Sequence, residues 1–152
     1  MFPEPLRHLT RNECLALLAG ARLGRVAVSI RALPTILPVN YALLDDDVVL
    51  RTAPGSKLSA ALLGAVVGFE VDDTNQDRSA GWSVLVVGHA NEIRDDATLG
   101  RARGLRLEAW APGDHDHFVM IPTEHVSGRA FGPSPAFIRT PMPSNKTPCV
   151  SR

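Results

Sequence analysis

The stretch Arg51-Thr52-Ala53-Pro54-Gly55-Ser56-Lys57-Leu58 joins an extended run, Asp47 to Arg51, to an apolar helical run, Leu58 to Leu63. Pro54 and Gly55 punctuate the turn, and Ser56 is a good N-cap for the helix that follows. A turn of this kind aims unpaired backbone N–H groups and the positive end of a helix at one point, which favours a phosphate. Arg51, Thr52, Ser56 and Lys57 add cations and hydroxyls beside those donors. The same pattern also suits a plain strand–turn–helix junction facing only solvent, because short motifs recur by chance. Gly-rich nucleotide loops are excluded: neither G-x-x-x-x-G-K-[ST] nor a G-x-G-x-x-G after a strand occurs.

Upstream of that turn, Thr10-Arg11-Asn12-Glu13 has the form of a capping box, so a helix is expected from Arg11 to Gly20, with Leu15, Leu18 and Ala19 as its apolar stripe. Arg22 to Ile30 and Leu33 to Leu44 read as strands. Pro34 and Pro38 require the second to lie at an edge or a bulge, since proline donates nothing to a ladder. Asp45-Asp46-Asp47 then closes a hairpin onto Val48, Val49 and Leu50.

Downstream, Ala65 to Val71 reads as a buried strand, Asp72 to Arg78 as a polar loop, and Trp82 to Ile93 as the longest strand, bulged at Gly88. A helix is expected from Asp95 to Ala109, weakened by Gly100 and Gly104. Phe118 to Ile121 and Val126 to Phe131 are expected to form one last strand, broken near Pro122. This order predicts a mainly β (α+β) domain, an antiparallel barrel with short helices at its ends, over residues 1–131. From Gly132 the prolines crowd together without helical or strand period, and residues 132–152 are expected to be a tail outside the core. Val84 to Val87 is apolar on both faces, so a helix or a second copy of the chain must cover what the barrel does not. A homodimer with its ligand near the interface is the expectation.

Lys+Arg and Asp+Glu balance at 16 each, so no net field steers the chain to nucleic acid or to an anionic membrane. Arg101, Arg103 and Arg106 read as one solvated helix face. Cys14 and Cys149 make no disulfide framework and suit a reducing compartment. Met-Phe-Pro-Glu-Pro is not a signal peptide and no apolar run reaches membrane-spanning length, so a cytoplasmic protein is expected. His115-Asp116-His117 reads as an exposed loop rather than a metal site, having no third ligand spaced nearby. His89 reads as a core or interface residue. Trp82 and Trp110 read as packing anchors, with Trp110 also placed to line a pocket mouth. No nucleophile–base pair is legible, since Cys14 belongs to an apolar helix.

The order of these motifs resembles the flavin-binding split-barrel family related to pyridoxamine 5'-phosphate oxidase, in its nitroimidazole-reductase-like branch. The resemblance rests on Gly24-Arg25-Val26-Ala27, on Pro34 with Pro38-Val39-Asn40-Tyr41, and on Arg51-Thr52 with Gly55-Ser56-Lys57-Leu58. Gly81-Trp82-Ser83-Val84 with Gly88, and Val126-Ser127-Gly128-Arg129, complete it. It implies that Arg51, Thr52, Ser56 and Lys57 hold the phosphate of FMN and that Pro38, Val39, Asn40 and Tyr41 lie along the isoalloxazine. Trp82, Ser83 and Val84 are implied to approach the ring across a homodimer interface. The implied activity is oxidoreduction of a small organic substrate, fed by a nicotinamide donor, with Asn40 and Ser83 as donors to the flavin's carbonyl edge. A deazaflavin coenzyme, with Arg25 and Arg78 extending the basic groove, and a non-catalytic flavin or haem carrier or sensor are the alternatives on the same fold. The C-terminal Arg-Leu-x-Pro element of vitamin oxidases has no good match in Phe137-Ile138-Arg139-Thr140-Pro141, so the resemblance does not extend to vitamin oxidation.

Overall fold

The computed structural model describes residues 6–108 and 117–132. In chain order the elements are β1 (Arg7–His8), α1 (Arg11–Gly20), β2 (Leu23–Ile30), β3 (Leu33–Leu44), β4 (Asp47–Thr52), α2 (Lys57–Leu62), β5 (Val66–Thr74), β6 (Gly81–His89), β7 (Asn91–Glu92), α3 (Asp96–Gly104), β8 (His117–Ile121) and β9 (His125–Phe131). The strands form one antiparallel sheet in the order β1-β9-β6-β5-β2-β3-β4-β8-β7, curled into a split barrel. No helix among the described residues is long and apolar enough to cross a membrane.

The barrel splits where strands change partners. Residues 33–40 of β3 pair with β2, whereas Tyr41 to Leu44 pair with β4. The far edge of 33–40 is therefore unpaired, which is where Pro34 and Pro38 are tolerated. The chain crosses the split again at Ala90, whose N–H and carbonyl bond to Ala65 and Gly64 at 2.9 and 2.8 Å. The expected single strand from Trp82 to Ile93 is thus two, β6 in one half and β7 in the other. The expected last strand is likewise two: β8 pairs with β4 and β9 with β6.

Gly88 is not a bulge. It pairs in unbroken register with Val67, and a Cβ there would stand 2.8 Å from the Pro122 carbonyl oxygen, so close approach of the backbone explains the glycine. β5 runs on to Thr74 through Asp72 and Asp73 because Ser83, Trp82 and Gly81 supply ladder partners. α3 stops at Gly104 rather than Ala109, and Arg106 turns to a positive φ of 53° just beyond it. Arg101 does not face solvent alone: its guanidinium makes two bonds to the Asp45 carboxylate, 2.7 and 2.6 Å. Trp110, His115 and the proline-rich segment 133–152 lie outside the described residues.

Alternation divides the apolar residues into two cores. Val26, Val48, Leu50, Phe69, Val84, Val86, Val119 and Ile121 fill the barrel, and α1 lays Cys14 and Leu18 over them. Val49, Ile93, Ala102 and Phe118 form a second layer under α3. α1 starts where its capping box directs: Thr10 Oγ1 accepts from Glu13 N–H, and Glu13 returns a bond to the Thr10 N–H at 2.7 Å. The other face of β2, β3, β5 and β6 stays open, and there Ile36, Ala27, Gly68 and Val87 stand side by side in register. Ile36 is 67% exposed, Val66 61% and Leu85 44%.

Candidate functional site

The β4–α2 junction forms as its sequence directs. Ser56 is the N-cap of α2, its hydroxyl accepting from Ser59 N–H at 3.0 Å, and Gly55 takes the positive φ of 70° that the turn needs. Successive residues of β4 face opposite sides, so Arg51 and Thr52 part company. Thr52 points inward with Val48 and Leu50. Arg51 lies on the α3 side, over the Phe118 ring at 5.8 Å and bonded to the Leu107 carbonyl at 3.0 Å. The structure thus keeps Thr52, Ser56 and Lys57 at the junction and turns Arg51 toward a different cleft.

That cleft, of about 620 Å³, lies at the split of the barrel. The C-terminal turn of α1, the β3 crossing at Asn40 and Tyr41, and residues 105–108 wall it. Asn40 Nδ2 donates to the Glu108 carbonyl at 3.1 Å, so Asn40 and Arg51 both hold the 105–108 segment in place. Tyr41 is buried, its hydroxyl donating to Leu18 O at 2.6 Å, and burial pushes its pKa well above the ordinary phenol value. Pro38 is exposed on the open sheet face, and Val39 is buried in the barrel.

Trp82 and Val84 point inward beneath α1, and Ser83 faces out. Trp82 lines a smaller cleft of about 290 Å³ with Arg25, Asp72 and Asp73. Arg25 lies 3.7 Å from Glu70 and 3.6 Å from Asp72, so its charge is balanced locally. Burial is the main reason the Glu70 carboxyl titrates above the usual range, and Asp72 beside it adds to the shift. His89 is exposed at the end of β6, not in the core.

Three buried side-chain polar atoms among the described residues have no hydrogen-bond partner: Thr52 Oγ1, Trp82 Nε1 and His117 Nδ1. Thr52 and Trp82 are residues singled out from the sequence. His117 is the direct cross-strand partner of Thr52, on the same inner face. Its Nε2 lies 3.4 Å from Glu92 Oε1, and Arg94 Nε donates to the other carboxylate oxygen of Glu92 at 2.8 Å. Sequence reading put His117 in a loop. Its signal was the apolar run Phe118 to Ile121, which it opens as the first residue of β8. Thr52 and His117 together give the inner wall beside the junction a hydroxyl and an imidazole nitrogen that no described residue engages. No cluster of metal-binding side chains occurs among the described residues.

Comparison with known proteins shows the family. The profile of the family described as pyridoxamine 5'-phosphate oxidase matches residues 10–130. The chain belongs to that family. Members similar to it include an uncharacterized protein of Mycobacterium tuberculosis strain H37Rv, 39% identical over 125 residues, which are 79% of this chain and 82% of that one. Among solved structures, the FAD-binding protein of Mycobacterium smegmatis is 35% identical and superposes with a TM-score of 0.71, covering 82% of this chain and 99% of its own. A FAD-binding protein of Mesorhizobium loti is 30% identical with a TM-score of 0.66, covering 82% and 97%.

Thr52→Val keeps the side-chain shape and removes the unengaged hydroxyl. The ligand-free protein is expected to gain about 1–2 kcal/mol, since an unsatisfied buried hydroxyl costs roughly that much. Chemical denaturation reads it as a higher midpoint. A lower midpoint would show that the hydroxyl is already well bonded.

Proposed function

We propose that this protein is a cytoplasmic, homodimeric flavin-dependent oxidoreductase that holds the phosphate-bearing arm of its flavin at the Thr52–Lys57 corner. The observation that carries this reading is the buried, unengaged hydroxyl of Thr52, 3% exposed, at the end of the strand that leads into Ser56 and Lys57. Such a hydroxyl donates readily to a phosphate oxygen, and charge assistance strengthens the bond. Ser56 accepts from the helix with one oxygen lone pair and keeps its O–H to donate. Lys57 supplies the charge. Family membership and the FAD-binding relatives support the same assignment.

Bound flavin would supply the redox chemistry, passing hydride or electrons between a nicotinamide donor and a small organic substrate. The chain's own part is to bind and orient. The cleft at the split offers the apolar walls of Leu18 and Leu107 together with the Asn40 amide, a composition suited to a flat ring with a polar edge. Asn40 is fixed by its bond to Glu108, so it meets a ligand without reorganising. The local balance of Arg25 by Glu70 and Asp72 removes one of the cations that a longer, more anionic deazaflavin arm needs, which favours a flavin.

Lys57→Ala is expected to lose a charge-assisted contact worth roughly 1.5–3 kcal/mol, so that FMN binds about ten- to hundredfold more weakly. Riboflavin, which lacks the phosphate, should bind wild type and variant alike. Fluorescence titration of both flavins decides it, and equal FMN affinities would move the phosphate elsewhere.

The open sheet face carries the dimer in this reading. Ile36, Val66, Leu85 and Val87 make one contiguous apolar surface, of the kind that marks an interaction site. Sedimentation at micromolar concentration is expected to show a dimer. A compact monomer there would contradict it.

A further inference from the structure

The open sheet face carries charge as well as apolar surface, and the strand register fixes where each group stands. Arg25 of β2 is the cross-strand partner of Glu70 of β5, and Glu70 in turn is the partner of Leu85 of β6. Leu85 belongs to the exposed apolar surface that includes Ile36, Val66 and Val87. Asp72 lies two residues beyond Glu70 on the same strand, and so on the same face. The Arg25 guanidinium is 3.7 Å from Glu70 and 3.6 Å from Asp72. One cation therefore serves two carboxylates, and the triad keeps an excess negative charge when both are ionised. In the single chain, burial and then Asp72 already hold the Glu70 carboxyl above the usual range, and Arg25 only partly offsets them. Three further charged or titratable groups share the face. Arg129 is the partner of Ser83, which pairs with Asp72, and it forms no ion pair with a described residue. His89 and His125 are the partners of Val66 and Val87 at the other end of the patch. Beside Arg25, β3 contributes only the uncharged Pro38.

We propose that two copies of the chain associating through this face draw a proton from solvent onto the Glu70–Asp72 pair of each copy, so that the dimer tightens as pH falls and loosens as the pair ionises. The proposal rests on the homodimer reading above and deepens it by naming what regulates the interface. A partner that covers Leu85 also covers Glu70, because directly opposed residues of an antiparallel pair hold their Cβ atoms only about 4.5–5.5 Å apart. Covering removes the water that solvates the carboxylates, and burial disfavours the charged form. Arg25 balances one of the two, and a proton neutralises the other. The sign follows from linkage. A carboxyl with a higher pKa in the dimer than in the monomer binds more protons there. Its contribution to association is fully present below the monomer's value and is lost as pH rises through the dimer's, by up to about tenfold per pH unit for each copy. His89 and His125 act in the opposite sense, since it is their protonated forms that burial disfavours. The contribution of Glu70 is therefore read as the difference between wild type and a variant that cannot titrate at that position.

Sedimentation of the full chain over a dilution series, at pH 5 and at pH 8, tests this in wild type and in Glu70→Gln, which keeps the shape of the side chain and removes its titration. At pH 8 the variant is expected to dimerise about tenfold or more tightly than wild type, and at pH 5 the two dissociation constants should agree within about threefold. A ratio of the two constants that is the same at both pH values, or a wild-type dimer that is the tighter one at pH 8, would overturn the proposal. Failure of both proteins to associate at either pH would overturn the homodimer reading itself and this switch with it.

Discussion

The buried hydrogen bond from the Tyr41 phenol to the Leu18 carbonyl, 2.6 Å long, sits where the barrel has to split. At that point β3 lets go of β2 and takes up β4, and the Tyr41 N–H is spent on the Arg22 carbonyl instead of a ladder partner. The phenol ties the end of α1 to the crossing, and its ring meets Phe69 edge-on at 4.9 Å. Phe69 in turn fills the space that Gly24 leaves, where a Cβ would stand 2.4 Å from the ring. One contact therefore fixes a helix, the hinge of the sheet and the packing of β2 against β5. Because burial raises the Tyr41 pKa, the hydroxyl stays a donor. Its contribution is fully present below the ordinary phenol value of about 10 and is lost only as pH rises past it.

Everything that positions the proposed site follows from that crossing. It opens the cleft between α1 and residues 105–108, and it delivers β4 with Thr52 inward at the barrel's end. Ser56 then starts α2 within one turn, which sets Lys57 against the tip of the β2–β3 hairpin. Rigid strands hold each of these side chains, while the short turn between them carries the chemistry.

Local signals were legible in the sequence because local chemistry causes them. The capping box at Thr10 and Glu13 and the N-cap at Ser56 formed as read. So did the tight turn at Asp45 and Asp46, whose φ values of 50° and 69° suit short polar side chains. What escaped was long-range. Nothing within Trp82 to Ile93 announces that Ala90 must bond to Ala65, and nothing near Gly88 announces the Pro122 carbonyl. The same holds at the site. Arg51 and Thr52 are adjacent in sequence and looked like one grip, yet strand alternation sends them to opposite cores. His117 was read as loop because its partner, Thr52, lies on a strand far away in the chain.

The central claim is that the corner from Thr52 to Lys57 closes on a flavin phosphate. Backbone hydrogen exchange of the flavin-free protein, with and without added FMN, tests it most directly. The amides of Ala53 and Gly55 to Lys57 should exchange markedly more slowly with FMN present, and riboflavin should leave them nearly unchanged. Protection by FMN elsewhere in the barrel, with these amides unaffected, would contradict the account.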